Sequence, residues 1–134
     1  MAAPAPKPLT RAIRFGGAPV PRADIGRLAE PFRDAAEAWF WAVRALQARR
    51  EGARFTANQG AIHRPCEPDD VVRCLNGLYR QRRIDLLHAR VLRNWGERGM
   101  APDPGRPRES CDARIWREAI ERLEWPLRIK GIVG

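Results

Sequence analysis

Between Val71 and Arg98 the chain carries Arg73, Arg80, Arg82, Arg83, Arg90, Arg93 and Arg98 against Asp85 and Glu97. A guanidinium is a planar fork of donors that matches phosphate oxygens. Arginines at this density can neutralise a nucleic-acid backbone and release its counterions. Asn94 lies in the same stretch, and its amide can pair with a base edge. The whole chain has 25 Lys+Arg, 16 Asp+Glu and a net charge of +9 over 134 residues. All of the basic residues but Lys7 and Lys130 are arginine. Codon bias in a GC-rich bacterial genome accounts for arginine in place of lysine. It does not account for the excess over carboxylates, which favours an anionic partner.

Other chemistries find little material. Ser110 is the single serine, and no Gly-x-Ser-x-Gly elbow surrounds it. His63 and Cys66 are close in sequence and Cys74 follows, but no pair of cysteines has zinc-ligand spacing. Neither a metal nor a cofactor is therefore expected. Asp69 and Asp70 suit the positive end of a helix dipole. Arg114–Glu118 and Arg117–Glu121 read as surface ion pairs at four-residue spacing. His88 falls near an apolar face and reads as a core-edge histidine. Catalysis would require His63 or His88 to meet a carboxylate or a thiol in a pocket. The chain reads as a non-enzyme.

The elements that must position these residues are helical. A first helix is predicted from Pro31 to about Glu51, with Phe32, Ala35, Ala36, Trp39, Ala42, Val43 and Leu46 on one stripe. Trp41 lies on the opposite side of that wheel. Residues 52–66 read as a loop anchored by Phe55 and Ile62. A second helix starts at Glu67-Pro68, with Val71, Val72, Leu75, Leu78 and Tyr79 facing inward. Gly77 within it suggests close approach of a neighbouring helix. Asp85 caps a third helix carrying Leu87, His88, Val91, Leu92 and Trp95, ended by Gly96 or Gly99. Asp112 is expected to cap a fourth, which Trp125-Pro126 stops. The closing residues, Leu127 to Val133, form a docked tail or a short edge strand.

The fold expected is mainly α: about four helices in one small domain over residues 31–134. Residues 1–30, rich in Pro and Ala, read as a disordered tail in which Ile13 and Phe15 could dock as an arm. Leu, Ile, Val and Phe number 10, 8, 6 and 4. That is about 21% of the chain, just above the level at which a charged chain fails to fold. Trp39, Trp95 and Trp116 are expected to share the core.

The second and third helices, joined by a short turn, have the outline of a helix-turn-helix pair. Arg80, Arg82, Arg83, Arg90, Arg93 and Asn94 are the expected nucleic-acid contacts, with DNA preferred to RNA. The competing reading is a helical hairpin with a solvated arginine face, since the turn lacks the usual glycine. Trp41 and Trp125 are the expected anchors for a protein partner. The chain thus reads as a small basic DNA-binding or transcription-associated protein. The alternative is an adaptor using exposed tryptophan and an apolar C-terminal tail. No run reaches the 18 apolar residues of a membrane helix. An odd number of cysteines without a signal peptide points to a reducing cytoplasm.

Overall fold

The computed structural model describes residues 29–52 and 62–134. Four helices follow in order: α1 (Ala35–Arg50), α2 (Pro68–Arg80), α3 (Leu86–Arg98) and α4 (Ser110–Ile129). The chain is mainly α, as its periodicity predicts. The tail assigned to residues 1–30, with Ile13 and Phe15, lies almost wholly outside the described residues, as does Phe55. Ile62, expected to anchor the loop, is exposed instead.

Each helix packs against the other three, α1 and α4 most extensively, whereas α2 and α3 touch each other least. Contact with three neighbours explains why Ala35, Ala38, Trp39, Ala42, Val43 and Ala45 are all buried. These positions cover more of the helix than one stripe. α1 also begins later than predicted. Asp34 is its N-cap and accepts from the Glu37 N–H at 2.9 Å, leaving Pro31 and Phe32 outside the helix.

That shift decides where Trp41 goes. On an ideal wheel it points away from Phe32. Phe32 is not helical, however, and its ring lies 5.0 Å from that of Trp41. Phe32 instead pairs with the chain end. Its N–H donates to the Ile132 carbonyl at 2.8 Å, its carbonyl accepts from the Gly134 N–H at 3.0 Å, and an isolated parallel bridge joins it to Val133. Leu127–Ile129, expected in the closing segment, belong to α4, and only the residues after them form a docked tail, in which Ile132 and Val133 are buried.

α4 runs through Pro126 rather than stopping there. Proline within a helix removes one backbone hydrogen bond and costs about 3 kcal/mol. Leu123 and Leu127 are fully buried on either side of it. Their packing, with that of the tail, outweighs the local penalty. The N-terminus also differs: α4 opens at Ser110. Asp112 does not cap it but accepts from the Trp95 indole N–H at 3.0 Å.

Trp39, Trp95 and Trp116 share one core cluster. The Trp39 indole N–H donates to the Leu92 carbonyl at 2.8 Å, joining α1 to α3. The close helix approach falls at Gly96, not Gly77. A Cβ at Gly96 would lie 2.7 Å from Trp39 Nε1 and 3.0 Å from Val43, whereas one at Gly77 would meet nothing within 4 Å. Gly99 ends α3, leaving Gly96 inside the helix.

Candidate nucleic-acid interface

The turn between α2 and α3, Gln81–Asp85, closes α2 with a left-handed residue. The Arg83 N–H donates to the Leu78 carbonyl at 2.9 Å and the Arg82 N–H to the Tyr79 carbonyl at 3.0 Å. This is the paired hydrogen-bond pattern of a Schellman helix end. It requires positive φ at residue 82, and Arg82 has φ 62°. Gly52, Gly99 and Gly131 take the equivalent conformation after α1, α3 and α4. Among the described residues, Arg82 is the one non-glycine held there. A left-handed L-residue costs roughly 1–2 kcal/mol.

After the turn, Ile84 is buried and Asp85 caps α3, accepting from the Leu87 and His88 N–H groups at 3.0 and 3.2 Å. His88 reciprocates, its Nδ1 accepting from the Asp85 N–H at 3.1 Å. Its Nε2 lies 3.1 Å from Glu118 Oε1 on α4. Arg122, also on α4, donates to the Arg83 carbonyl at 3.2 Å. The turn is therefore held against α4 from two points.

These contacts also shape the electrostatics. Hydrogen bonding from the His88 backbone N–H holds the Asp85 carboxyl below its ordinary value, and the His88 ring does the same for Glu118. His88 meets two carboxylates, as a catalytic histidine would. Both ring nitrogens are committed to these contacts, so the ring acts as a pin between α3 and α4. Ser110, the single serine, donates to the Pro107 carbonyl. No group of three or more His, Cys, Asp or Glu among the described residues is placed to hold a metal. Burial pushes the Cys66 thiol up to about 12 and raises that of Cys74, while Cys111 is exposed. Among the described residues, no helix is long and apolar enough to cross a membrane.

The arginines named from sequence divide into two groups. Arg80, Arg82, Arg83 and Arg90 are exposed and form no ion pair among the described residues. Arg93 is exposed but lies 3.5 Å from Glu97, which also takes Arg50 at 3.9 Å. Asn94 is exposed on the same side of α3. Helical spacing puts Leu86, Arg90, Arg93, Asn94 and Glu97 on one outward stripe. Arg80, Arg82 and Leu86 line a single open depression with Tyr79, Ile84 and Asp85. The turn and the outward face of α3 thus form one continuous surface.

The partner anchors also divide. Trp41 is half-buried against Phe32. Trp125 is 64% exposed and shares a second depression with Arg83, Glu121 and Arg122. Sequence placed Trp125 and Arg83 in different candidate sites, and the fold brings them together.

Two further features escaped the sequence reading. The expected pairs Arg114–Glu118 and Arg117–Glu121 do not form. Glu118 turns to His88, and on α4 it is Arg128 that pairs with Glu124. Arg64, within the segment 52–66 expected as a loop, sits over the Phe32 ring at 4.2 Å and pairs with Glu37. The His88–Glu118 and Arg64 contacts have no periodic signal, because each joins residues far apart in the chain, whereas Arg128–Glu124 has four-residue spacing. Comparison with family models, curated proteins and solved structures gives no match for this chain.

Proposed function

We propose that this is a nucleic-acid-binding protein whose contact surface is the α2–α3 turn and the outward face of α3. The observation that carries the reading is the clustering of Arg80, Arg82, Arg83 and Arg90 at the turn and the start of α3: four exposed guanidinium groups with no carboxylate partner among the described residues. Ion-paired arginines would have to break existing contacts to reach phosphate, and these need not. Arg82 adds weight. A glycine would relieve the strain at its position, yet an arginine stands there. Strain kept at an exposed position suits a functional side chain. DNA is the partner favoured by the helix-pair outline, with phosphates contacted at the turn and Asn94 beside them. A transcription-associated role in the cytoplasm is the corresponding setting.

Fluorescence anisotropy with a labelled random-sequence duplex across a salt series tests this. The expected result is an affinity that falls linearly with salt on logarithmic axes, with a slope equivalent to several phosphates. Absence of duplex binding at low salt would remove duplex DNA as the partner, and absence of binding to a single strand as well would overturn the reading.

A second reading, an adaptor for another protein, is favoured by Trp125 and Ile129. Both are exposed and lie one turn apart on α4. It predicts an apolar contact whose affinity is insensitive to salt.

A further inference from the structure

The Arg82–Arg83 apex has an aromatic side chain on each flank. Arg82 borders the depression that contains Tyr79, which is 48% exposed. Arg83 borders the one that contains Trp125. Consecutive residues thus open onto two separate hollows, each pairing an exposed ring with guanidinium groups. Both hollows are open to solvent, with about 280 Å³ beside Trp125 and about 520 Å³ beside Tyr79.

A duplex presents phosphates and base edges but hides its base faces. A helix entering its major groove reads edges with the residues of its first turns. The first turn of α3 presents Leu86 and Leu87, both exposed and both without a side-chain donor or acceptor. Further along, Arg93 is already engaged by Glu97. The first turn is therefore poor at reading edges, and the unengaged donors of the outward face, Arg90 and Asn94, lie beyond it. The surface is well supplied with what unpaired strands need: rings that stack on base faces, beside cations that follow the backbone.

Resting on the nucleic-acid reading above, we propose that the preferred ligand is single-stranded, with unpaired bases stacking on Trp125 and Tyr79 and the intervening phosphates held by Arg80, Arg82, Arg83 and Arg122. Arg122 reaches this position because it is already tied to the Arg83 carbonyl. Asp85 borders the Tyr79 hollow, but its carboxylate is occupied in capping α3. Glu121 is the acid in the Trp125 hollow and limits how deeply a phosphate can enter it.

The test compares a labelled oligothymidylate with a blunt duplex of equal length at one salt concentration. Full-length protein and the variants Trp125→Ala, Trp125→Phe and Tyr79→Ala are used. Both rings are exposed, so the substitutions leave the core intact. The oligothymidylate is expected to bind more tightly than the duplex. Trp125→Ala should weaken it by roughly 5- to 150-fold, and Trp125→Phe should restore most of the loss. Duplex bound as tightly as the single strand, or an unchanged affinity in both alanine variants, would overturn this inference and leave nucleic-acid binding standing. No binding of either ligand at low salt would remove both.

Discussion

The Arg122 guanidinium donates to the Arg83 carbonyl at 3.2 Å and so ties α4 to the basic turn between α2 and α3. That bond sets Trp125, on the next turn of α4, beside Arg83. Two residues far apart in the chain thereby become one surface. With the His88–Glu118 contact it fixes the turn at two points. A ligand would meet a turn that is already ordered.

Arg82 should be a residue that costs the fold and serves the ligand. Replacing it by glycine removes about 1–2 kcal/mol of left-handed strain and adds about 0.5–1 kcal/mol of backbone entropy loss. Arg82→Gly is therefore expected to raise stability by up to about 1.5 kcal/mol in urea unfolding. It should weaken nucleic-acid binding at the same time. A variant less stable than the parent would show that the arginine makes contacts that outweigh its strain.

The two glycines within α2 and α3 should respond oppositely to alanine. Gly77→Ala gains up to about 1 kcal/mol of helix propensity, because nothing lies within 4 Å of the new methyl. Gly96→Ala pushes against Trp39 Nε1 and Val43 and should cost roughly 1–3 kcal/mol. Thermal or urea unfolding of the pair checks this. Equal effects would mean that α1 and α3 do not meet at Gly96.

These cases show where sequence reading reached and where it stopped. The helices, the Asp85 cap and the tryptophan core follow from period and capping chemistry, which act over a few residues. Gly77 does not mark the close approach, because that depends on which helix lies opposite, and no local pattern encodes it. Pro126 predicts a stop because its local cost is legible, while the burial of Leu127 that offsets it is not. An ideal wheel that includes Phe32 sets Trp41 opposite it, and the Asp34 cap takes Phe32 out of that wheel. Of the site, the arginines are legible from charge density, and Asn94 as the amide that lies among them. The freedom of Arg90 compared with Arg93, and the meeting of Arg83 with Trp125, depend on tertiary contacts.

Acid should loosen the junction between α3 and α4. Asp85 and Glu118 ionise below their ordinary values of 3.8 and 4.5, because His88 hydrogen-bonds to both and Arg122 and Arg114 face Glu118. A carboxyl with a lowered folded pKa stabilises above its unfolded pKa, and that stability is lost as pH falls through the folded value. Stability should therefore decline below about pH 5. Glu118→Gln should flatten the decline, as followed by urea midpoints over that range. Parallel curves for the two proteins would remove Glu118 from the junction.

Arg90 and Arg93 lie on the same face of α3 but should not contribute equally. Arg90 forms no ion pair among the described residues, whereas Arg93 lies 3.5 Å from Glu97. Arg90→Ala is expected to lower affinity and reduce the logarithmic salt slope by about one. Arg93→Ala should do less of both. Equal losses in anisotropy titrations would mean that the Arg93–Glu97 contact yields freely to a ligand.

The most direct test of the central claim is the salt slope of nucleic-acid binding in the parent and in a triple variant, Arg80→Ala/Arg82→Gly/Arg83→Ala. Glycine at residue 82 keeps the helix end intact, so the variant loses charge without losing the turn. The account predicts weaker binding at every salt concentration and a slope reduced by about two to three. A variant that binds with the parent's affinity and slope would contradict it, and would show that the turn is not where nucleic acid is held.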